Sequence, residues 1–190
     1  MKSALLSILL LLSLHGAARA DGDAPLEPGP AVTVGSFAYA IRGYLSSTVA
    51  ILSGLDAAYD HDLTGSIGIR VRAGVILLGI DEITGAAPHG EAGVFRRLPL
   101  GPRAAVDASI LAGYYHGGLD HKAEWLDHPG PTAMAELAFY VEPVDHLLLA
   151  AGGGYRLAWT REEHVTGAGT STSDSFASGP LLRLNLGLSF

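Results

Sequence analysis

The sequence predicts an all-β fold: an eight-stranded antiparallel transmembrane β-barrel with short turns at one end and longer loops at the other. Three observations predict it. Apolar and polar residues alternate with a period of two along successive segments, the signature of half-buried strands. The polar face of those segments carries arginines and carboxylates in place of the mixture of Lys, Glu, Gln and Thr expected of a water-facing sheet. The joins between segments are short at every second position. Composition agrees. Glycine makes up 25 of 190 residues and charged residues only 16%, against about 7% and about 25% in ordinary soluble chains. Nearly half of the residues are apolar, which argues against disorder. No apolar run approaches the roughly 20 residues that a membrane-spanning helix needs. The absence of cysteine excludes disulfide scaffolds, thiolate metal sites and thiol catalysis.

The chain opens on a secretory signal pattern at residues 1–20. Lys2 supplies the positive start, residues 4–14 the apolar stretch, and Ala18-Arg19-Ala20 a small-x-small cleavage site. Cleavage there removes Lys2 and Arg19, so the chain that remains is more acidic than the formal −7 of the whole. Such a chain does not suit a phosphate backbone, which wants clustered Lys and Arg, and no nucleic-acid partner is expected. Residues 21–30 hold Pro25, Pro28 and Pro30 among acids and read as a flexible tether. Residues 31–190 form the barrel domain.

Seven strands follow from alternation, because successive side chains on a strand point to opposite faces. Phe37, Tyr39 and Ile41 oppose Ser36 and Arg42. Val49, Ile51, Leu55 and Tyr59 oppose Asp56. Ile67, Ile69, Val71, Ala73, Val75 and Leu77 oppose Arg70 and Arg72. Val106, Ala108, Ile110, Ala112 and Tyr114 oppose Arg103, Asp107 and Ser109. Ala133, Ala135, Leu137, Phe139 and Val141 oppose Glu136 and Glu142. Leu147, Leu149, Ala151, Gly153, Tyr155, Leu157 and Trp159 oppose Arg156. Leu182, Leu184, Leu186, Leu188 and Phe190 oppose Arg183 and Asn185. An eighth strand, near residues 90–98, has charges on both parities (Glu91 and Arg97 against Arg96), so alternation does not assign its faces. The prolines fall outside the expected strands, apart from Pro180 at the start of the last, as the missing ladder donor requires.

Pairing these strands consecutively gives joins at residues 43–47, 60–63, 79–89, 99–102, 118–131, 143–145 and 161–179. The second, fourth and sixth are tight. The others are mostly long and polar.

A soluble barrel turns its apolar face inward, and a transmembrane barrel turns it outward. The polar face here carries Arg42, Asp56, Arg70, Arg72, Arg103, Asp107, Glu136, Glu142, Arg156 and Arg183. Six arginines against four acids suit a paired network inside a narrow lumen, where the guanidinium fork binds carboxylates bidentately. Tyr39, Tyr59, Tyr114, Tyr155 and Trp159 lie towards strand ends on the apolar face, as an interfacial girdle requires. The chain also ends on an aromatic residue within a strand.

The ending Leu182-x-Leu184-x-Leu186-x-Leu188-x-Phe190 resembles the C-terminal assembly signal of bacterial outer-membrane barrels. The joins around Pro143-Val144-Asp145-His146 and Leu98-Pro99-Leu100-Gly101-Pro102-Arg103 resemble strand–turn–strand joins of small outer-membrane proteins of the OmpA/OmpX-like kind. The resemblance implies eight antiparallel strands with short periplasmic turns and longer extracellular loops, and a C-terminus in the periplasm. It also implies a Gram-negative outer membrane as location, with its lipid and the barrel-assembly machinery as partners.

Chemistry is sparse in the sequence. Lipid A deacylase barrels place His and Ser two apart on a strand, and here the nearest approach is His164-x-Thr166, with Glu163 and the serines of 171–178 nearby. A solvated loop explains them better, and no catalytic residues are expected. His116, Asp120, His121, Glu124, Asp127 and His128 crowd one expected loop, but their spacing matches no metal motif. No metal or other cofactor is expected. Gly152-Gly153-Gly154 lacks the Lys and helix of a phosphate cradle. Eight strands leave an interior just wide enough for side chains, and Arg70, Arg72, Arg156, Arg183, Asp107 and Glu136 are expected to plug it. The expected role is structural or in surface interaction. The alternatives are a lipid-active enzyme, or a narrow binder or transporter of small apolar compounds, which Ile76, Leu78, Leu111, Met134 and Leu148 on the lumen parity keep open.

Overall fold

The computed structural model describes residues 29–41, 50–80, 83–116, 119–120, 125–128, 130–166 and 169–190. They form ten strands: β1 (Ala31–Ile41), β2 (Ala50–Thr64), β3 (Ile67–Ile80), β4 (Ile83–Gly101), β5 (Ala104–Tyr115), β6 (Leu119–Asp120), β7 (Trp125–His128), β8 (Gly130–Val144), β9 (Leu147–Thr166) and β10 (Gly169–Ser189). Eight of them, β1 to β5 and β8 to β10, pair antiparallel in sequence order, and β10 pairs back onto β1. The sheet is therefore a closed barrel, and closure removes the edges that lipid cannot satisfy. The short β6 and β7 stand apart from the wall, β6 on β4 and β7 on β9. They occupy part of the stretch 118–131 expected as one loop.

The strands are staggered as they close. From Ala31 the register runs through Asp60, Arg70, Gly93, Leu111, Met134 and Arg156 to Gly179. Gly179 lies two residues beyond Leu181, the partner of Tyr39. The circuit thus returns to β1 about ten residues along from its start, the shear that tilts the strands of a narrow barrel.

Three joins are two-residue turns: Gly65–Ser66, Pro102–Arg103 and Asp145–His146. His146 sits at φ 70, the left-handed geometry that tight hairpins use. These turns gather at one end with the first described residues and the C-terminus, since Ala31 faces both Asp60 and Ser189. At the other end the strands run further than alternation predicts. β9 and β10 stay paired up to Thr166 and Gly169, where a polar loop over 161–179 was expected. β3 and β4 stay paired to Ile80 and Ile83, through most of the expected loop 79–89. Backbone pairing extends through polar sequence that has no alternation to show it.

For the same reason Pro88, Pro99, Pro131 and Pro143 stand inside strands, contrary to expectation. Register breaks between Pro99 and Gly101 and between Val141 and Val144 accommodate two of them, as bulges do.

Seen from outside, the barrel is apolar. Leu182, Leu184, Leu186 and Leu188 of β10 are exposed, while Arg183, Asn185 and Ser189 are buried. The same alternation holds along β2, β3, β5, β8 and β9 with the faces assigned from sequence. On β4, Ala87, His89, Glu91, Phe95 and Arg97 point inward, and Val94, Arg96 and Leu98 outward. β1 is a correction. Phe37 is buried in the lumen with Ala31 and Thr33, and Val34 and Ser36 face out. Polarity alone misleads about parity where the lumen itself carries an apolar layer. Gly54 stands opposite Phe37 and Gly68 opposite Phe95. A Cβ at either glycine would collide with the facing aromatic ring, so each glycine makes room for an inward ring.

Candidate functional site: a sealed lumen

Above the turn end, the lumen is filled by charge. Among the described residues five arginines (Arg70, Arg72, Arg97, Arg156, Arg183) and five carboxylates (Asp56, Asp60, Glu91, Asp107, Glu136) are buried there. The balance suits a low-dielectric interior, in which an unpaired charge is far more costly than a paired one.

The charges form two linked layers. Nearest the turns, Arg70 on β3 donates through Nε and Nη2 to both carboxylate oxygens of Asp60 on β2, each at 2.7 Å. Its Nη2 also reaches Asp107 at 2.8 Å and the Tyr140 hydroxyl at 2.7 Å. Arg97 on β4 grips Asp107 on β5 bidentately, at 2.6 and 2.7 Å. Both guanidinium groups lie over the Phe95 ring, at 5.0 and 4.9 Å from its centre, and over Tyr140 on the far wall. The layer therefore spans β2, β3, β4, β5 and β8.

In the next layer Glu136 on β8 accepts from Arg72 at 3.2 and 3.3 Å and from Arg183 Nε at 3.1 Å. Arg183 also binds Asp56. Arg156 meets Glu91 at 2.9 Å, and Arg72 approaches Glu91 at 3.7 Å. Arg70 and Glu136 join the layers at 3.9 Å. The network ties walls that are distant in sequence.

Beyond the charges, towards the far end, comes an apolar layer. Phe37, Ile76, Ala87, Leu111, Tyr115, Met134, Ala158 and Leu181 pack as one buried cluster. His89 packs edge-on against Phe37. At the turn end, Ala138, Tyr140 and Ala150 form a second small cluster, and Glu142 accepts from the His146 backbone N–H and from Ser189 Oγ.

Asp56, Arg70, Arg72, Asp107, Glu136, Arg156 and Arg183 lie buried together in the lumen. Arg42 lies outside the described residues. Arg103 is a correction: it sits on the exposed Pro102–Arg103 turn and pairs with Asp145 at 2.8 Å. Three members were missed. Asp60 continues the Asp56 parity, but Asp60-His61 looks like the start of a turn. Glu91 and Arg97 share a parity that Arg96 obscured. With these changes, and with Glu142 at the turn end, the expected excess of arginine becomes five buried arginines against six buried carboxylates among the described residues. Ile76, Leu111, Met134 and Leu148 are buried on the lumen side. The side chain of Leu78, the signal at 1–20, the tether at 21–30 apart from residues 29–30, and most of the His/acid group at 116–128 lie outside the described residues. Among the side chains of His164, Glu163 and the nearby serines, only Ser178 is described; its Oγ accepts from Tyr155.

Leu182, Leu184, Leu186 and Leu188 face outward on the closing strand, and the Phe190 N–H donates to the Pro30 carbonyl at 2.9 Å.

A closed eight-stranded antiparallel barrel, with an apolar exterior and charges sealed inside, defines a small β-barrel of the outer-membrane type. No family model matches the sequence, and no curated protein matches it. Solved structures do. The chain is similar to Ail, the attachment invasion locus protein of Yersinia pestis, at 11% identity and a TM-score of 0.58, covering 87% of this chain and 100% of that one. It is similar to the outer membrane protein OprG from Pseudomonas aeruginosa, at 11% identity and a TM-score of 0.59, covering 86% and 97%. It is similar to the outer membrane protein AlkL in DMPC lipid bilayers, at 9% identity and a TM-score of 0.59, covering 93% and 97%. At these identities the likeness is one of fold.

Proposed function

We propose that this protein resides in the outer membrane as a sealed barrel, and that its role is structural or in surface interaction. The observation that carries the reading is the inside-out distribution of polarity. Val34, Leu55, Val71, Ile110, Leu137 and Leu184 face outward around the whole circumference, while ten paired charges fill the centre. In water this exterior is a liability far larger than the apolar patches of ordinary monomers. In lipid it is the required surface. The sealed lumen leaves no path for general solute flow, so the part of the molecule available for recognition is the far rim, where β9 and β10 continue as a ribbon with β7 on its edge. Similarity in fold to a protein named for attachment and invasion is in keeping with surface interaction. This reading needs no catalysis and no cofactor.

The test is fractionation of expressing cells followed by gel electrophoresis of unheated and boiled samples. The expected result is recovery with the outer membrane and a shift in migration on boiling. Recovery in the soluble periplasm with no shift refutes the proposal. The apolar layer of Phe37, Ile76, Leu111, Met134 and Leu181 favours a second reading, the binding of small apolar compounds in the far half of the lumen. Saturable binding of a radiolabelled apolar compound to the folded barrel, lost in Ala158→Leu, supports that reading, and its absence removes it.

A further inference from the structure

The exterior carries a second feature that the sealed-lumen reading does not use. Across β4, β5, β8 and β9 the outward face is indented by an apolar groove of about 640 Å³. Its floor is Ala108, Ala135 and Gly153, and its walls are Val94, Ile110, Leu137 and Tyr155. Register explains the shape. Ala108 faces Leu137 across one ladder, and Leu137 faces Gly153 across the next. In the adjoining row Val94 faces Ile110, Ile110 faces Ala135, and Ala135 faces Tyr155. The small residues therefore form a bent path between large ones, with Ala108 and Gly153 in one row and Ala135 between them in the next.

Arg96 also lines this groove. It stands directly opposite Ala108 on one side and Ile67 on the other. Ile67 is the first residue after the Gly65–Ser66 turn, so Arg96 sits towards the turn end, the periplasmic side. It is exposed, and among the described residues no carboxylate pairs with it. It is also the one charged side chain among the described outward-facing positions of the eight barrel strands. An arginine on a lipid-facing wall is disfavoured near the midplane and tolerated towards an interface. There its planar fork matches a phosphate better than any other side chain does. A cation at one end of an apolar groove complements a molecule that is anionic at one end and apolar along its length.

We propose that this groove holds one glycerophospholipid of the inner leaflet, its phosphate on Arg96 and one acyl chain lying over Ala108, Ala135 and Gly153. The inference rests on the membrane reading above. The lipid stays bound longer than its neighbours because the groove receives the chain and the guanidinium holds the head.

The experiment is native mass spectrometry of the full barrel, released into detergent from vesicles of phosphatidylethanolamine and phosphatidylglycerol. Four chains are compared: the wild type, Arg96→Gln, Ala135→Leu and, as a control on the opposite wall, Val34→Ala on β1. The expected result is one retained phospholipid on the wild type and on Val34→Ala. Occupancy should fall about tenfold in Arg96→Gln, the scale of losing a charge-assisted contact. Ala135→Leu, which fills the groove without adding polarity, should lose the lipid irrespective of headgroup. Retention by both groove variants at the wild-type level overturns the proposal, as does a wild type that folds in the vesicles and carries no lipid. A second copy of the chain in place of the lipid, trapped by cross-linking between Ala135→Cys barrels, also overturns it. A barrel that shows the boiling shift but retains no lipid contradicts this inference alone. A chain with no shift contradicts the membrane reading first.

Discussion

Asp107 offers the sharpest test of the charge network. It is fully buried and accepts three hydrogen bonds, two from Arg97 at 2.6 and 2.7 Å and one from Arg70 at 2.8 Å. Asp107→Leu removes all three. Arg70 keeps its bidentate contact with Asp60. Arg97 keeps only the distant Asp60 and Asp62, at 3.6 and 3.9 Å, and becomes a poorly compensated buried cation. Three charge-assisted bonds at roughly 1.5–3 kcal/mol each set the upper bound. Because one of the two arginines stays paired, the expected loss is about 3–5 kcal/mol, the usual cost of breaking a buried pair. The assay is urea unfolding of the barrel in lipid vesicles, followed by tryptophan emission and by the boiling shift. Asp145→Ala, which breaks the exposed Arg103 pair, is the comparison and should cost ~1 kcal/mol or less. The double variant Arg97→Leu/Asp107→Leu should recover much of the loss, since a buried pair replaced by apolar residues is often near neutral. Equal midpoints for Asp107→Leu and Asp145→Ala would refute the reasoning.

Further outcomes follow from other residues. Leu186→Arg puts a charge on the lipid face and should cost about 2–4 kcal/mol if it lies near the midplane, whereas Asn185→Ser on the lumen face should be mild; equal tolerance in a membrane-assembly assay contradicts the facing. Deleting Phe190 should slow insertion more than it lowers the stability of assembled barrel, read by pairing an assembly time course with urea unfolding. Gly68→Ala should destabilise by about 1–3 kcal/mol through overpacking against Phe95 and the His61 carbonyl, and Phe95→Leu in the same chain should relieve only the part due to the ring in the unfolding assay. Planar-bilayer recordings of the wild type should show no stable porin-like conductance, because charge and apolar layers fill the bore.

Much of this architecture is legible in the sequence, for a physical reason. Where one face meets lipid and the other meets charge, polarity alternates at the strand period, as in β3 and β10, and a one-residue slip would expose every arginine to lipid. The seal at Arg70, Arg72, Glu136 and Arg183 was legible on the same grounds. Legibility failed where that contrast disappears. Phe37 lies in an apolar layer of the lumen, so its polarity matched the wrong face. Arg96 lies outside, so β4 looked patternless. The ribbon of β9 and β10 is held by backbone pairing through Ser and Thr, which read as loop. Asp60 belongs to the same lumen row as Asp56, but a following His and Asp made it look like a turn. The partnerships themselves, such as Arg97 with Asp107 or Arg183 with Asp56, depend on the stagger of the closed barrel and have no local sequence signal.

The central claim is that one parity of each strand meets lipid and the other meets a sealed interior. The chain contains no cysteine, so single cysteines can carry a polarity-sensitive fluorophore without background. Sites along β10 and β5 in vesicles containing brominated lipid test the claim directly. The account predicts strong quenching at Leu182, Leu184, Leu186, Ala108 and Ile110, and weak quenching at Asn185, Gly187 and Ser109. Quenching that alternates in the opposite phase, or does not alternate, would contradict it.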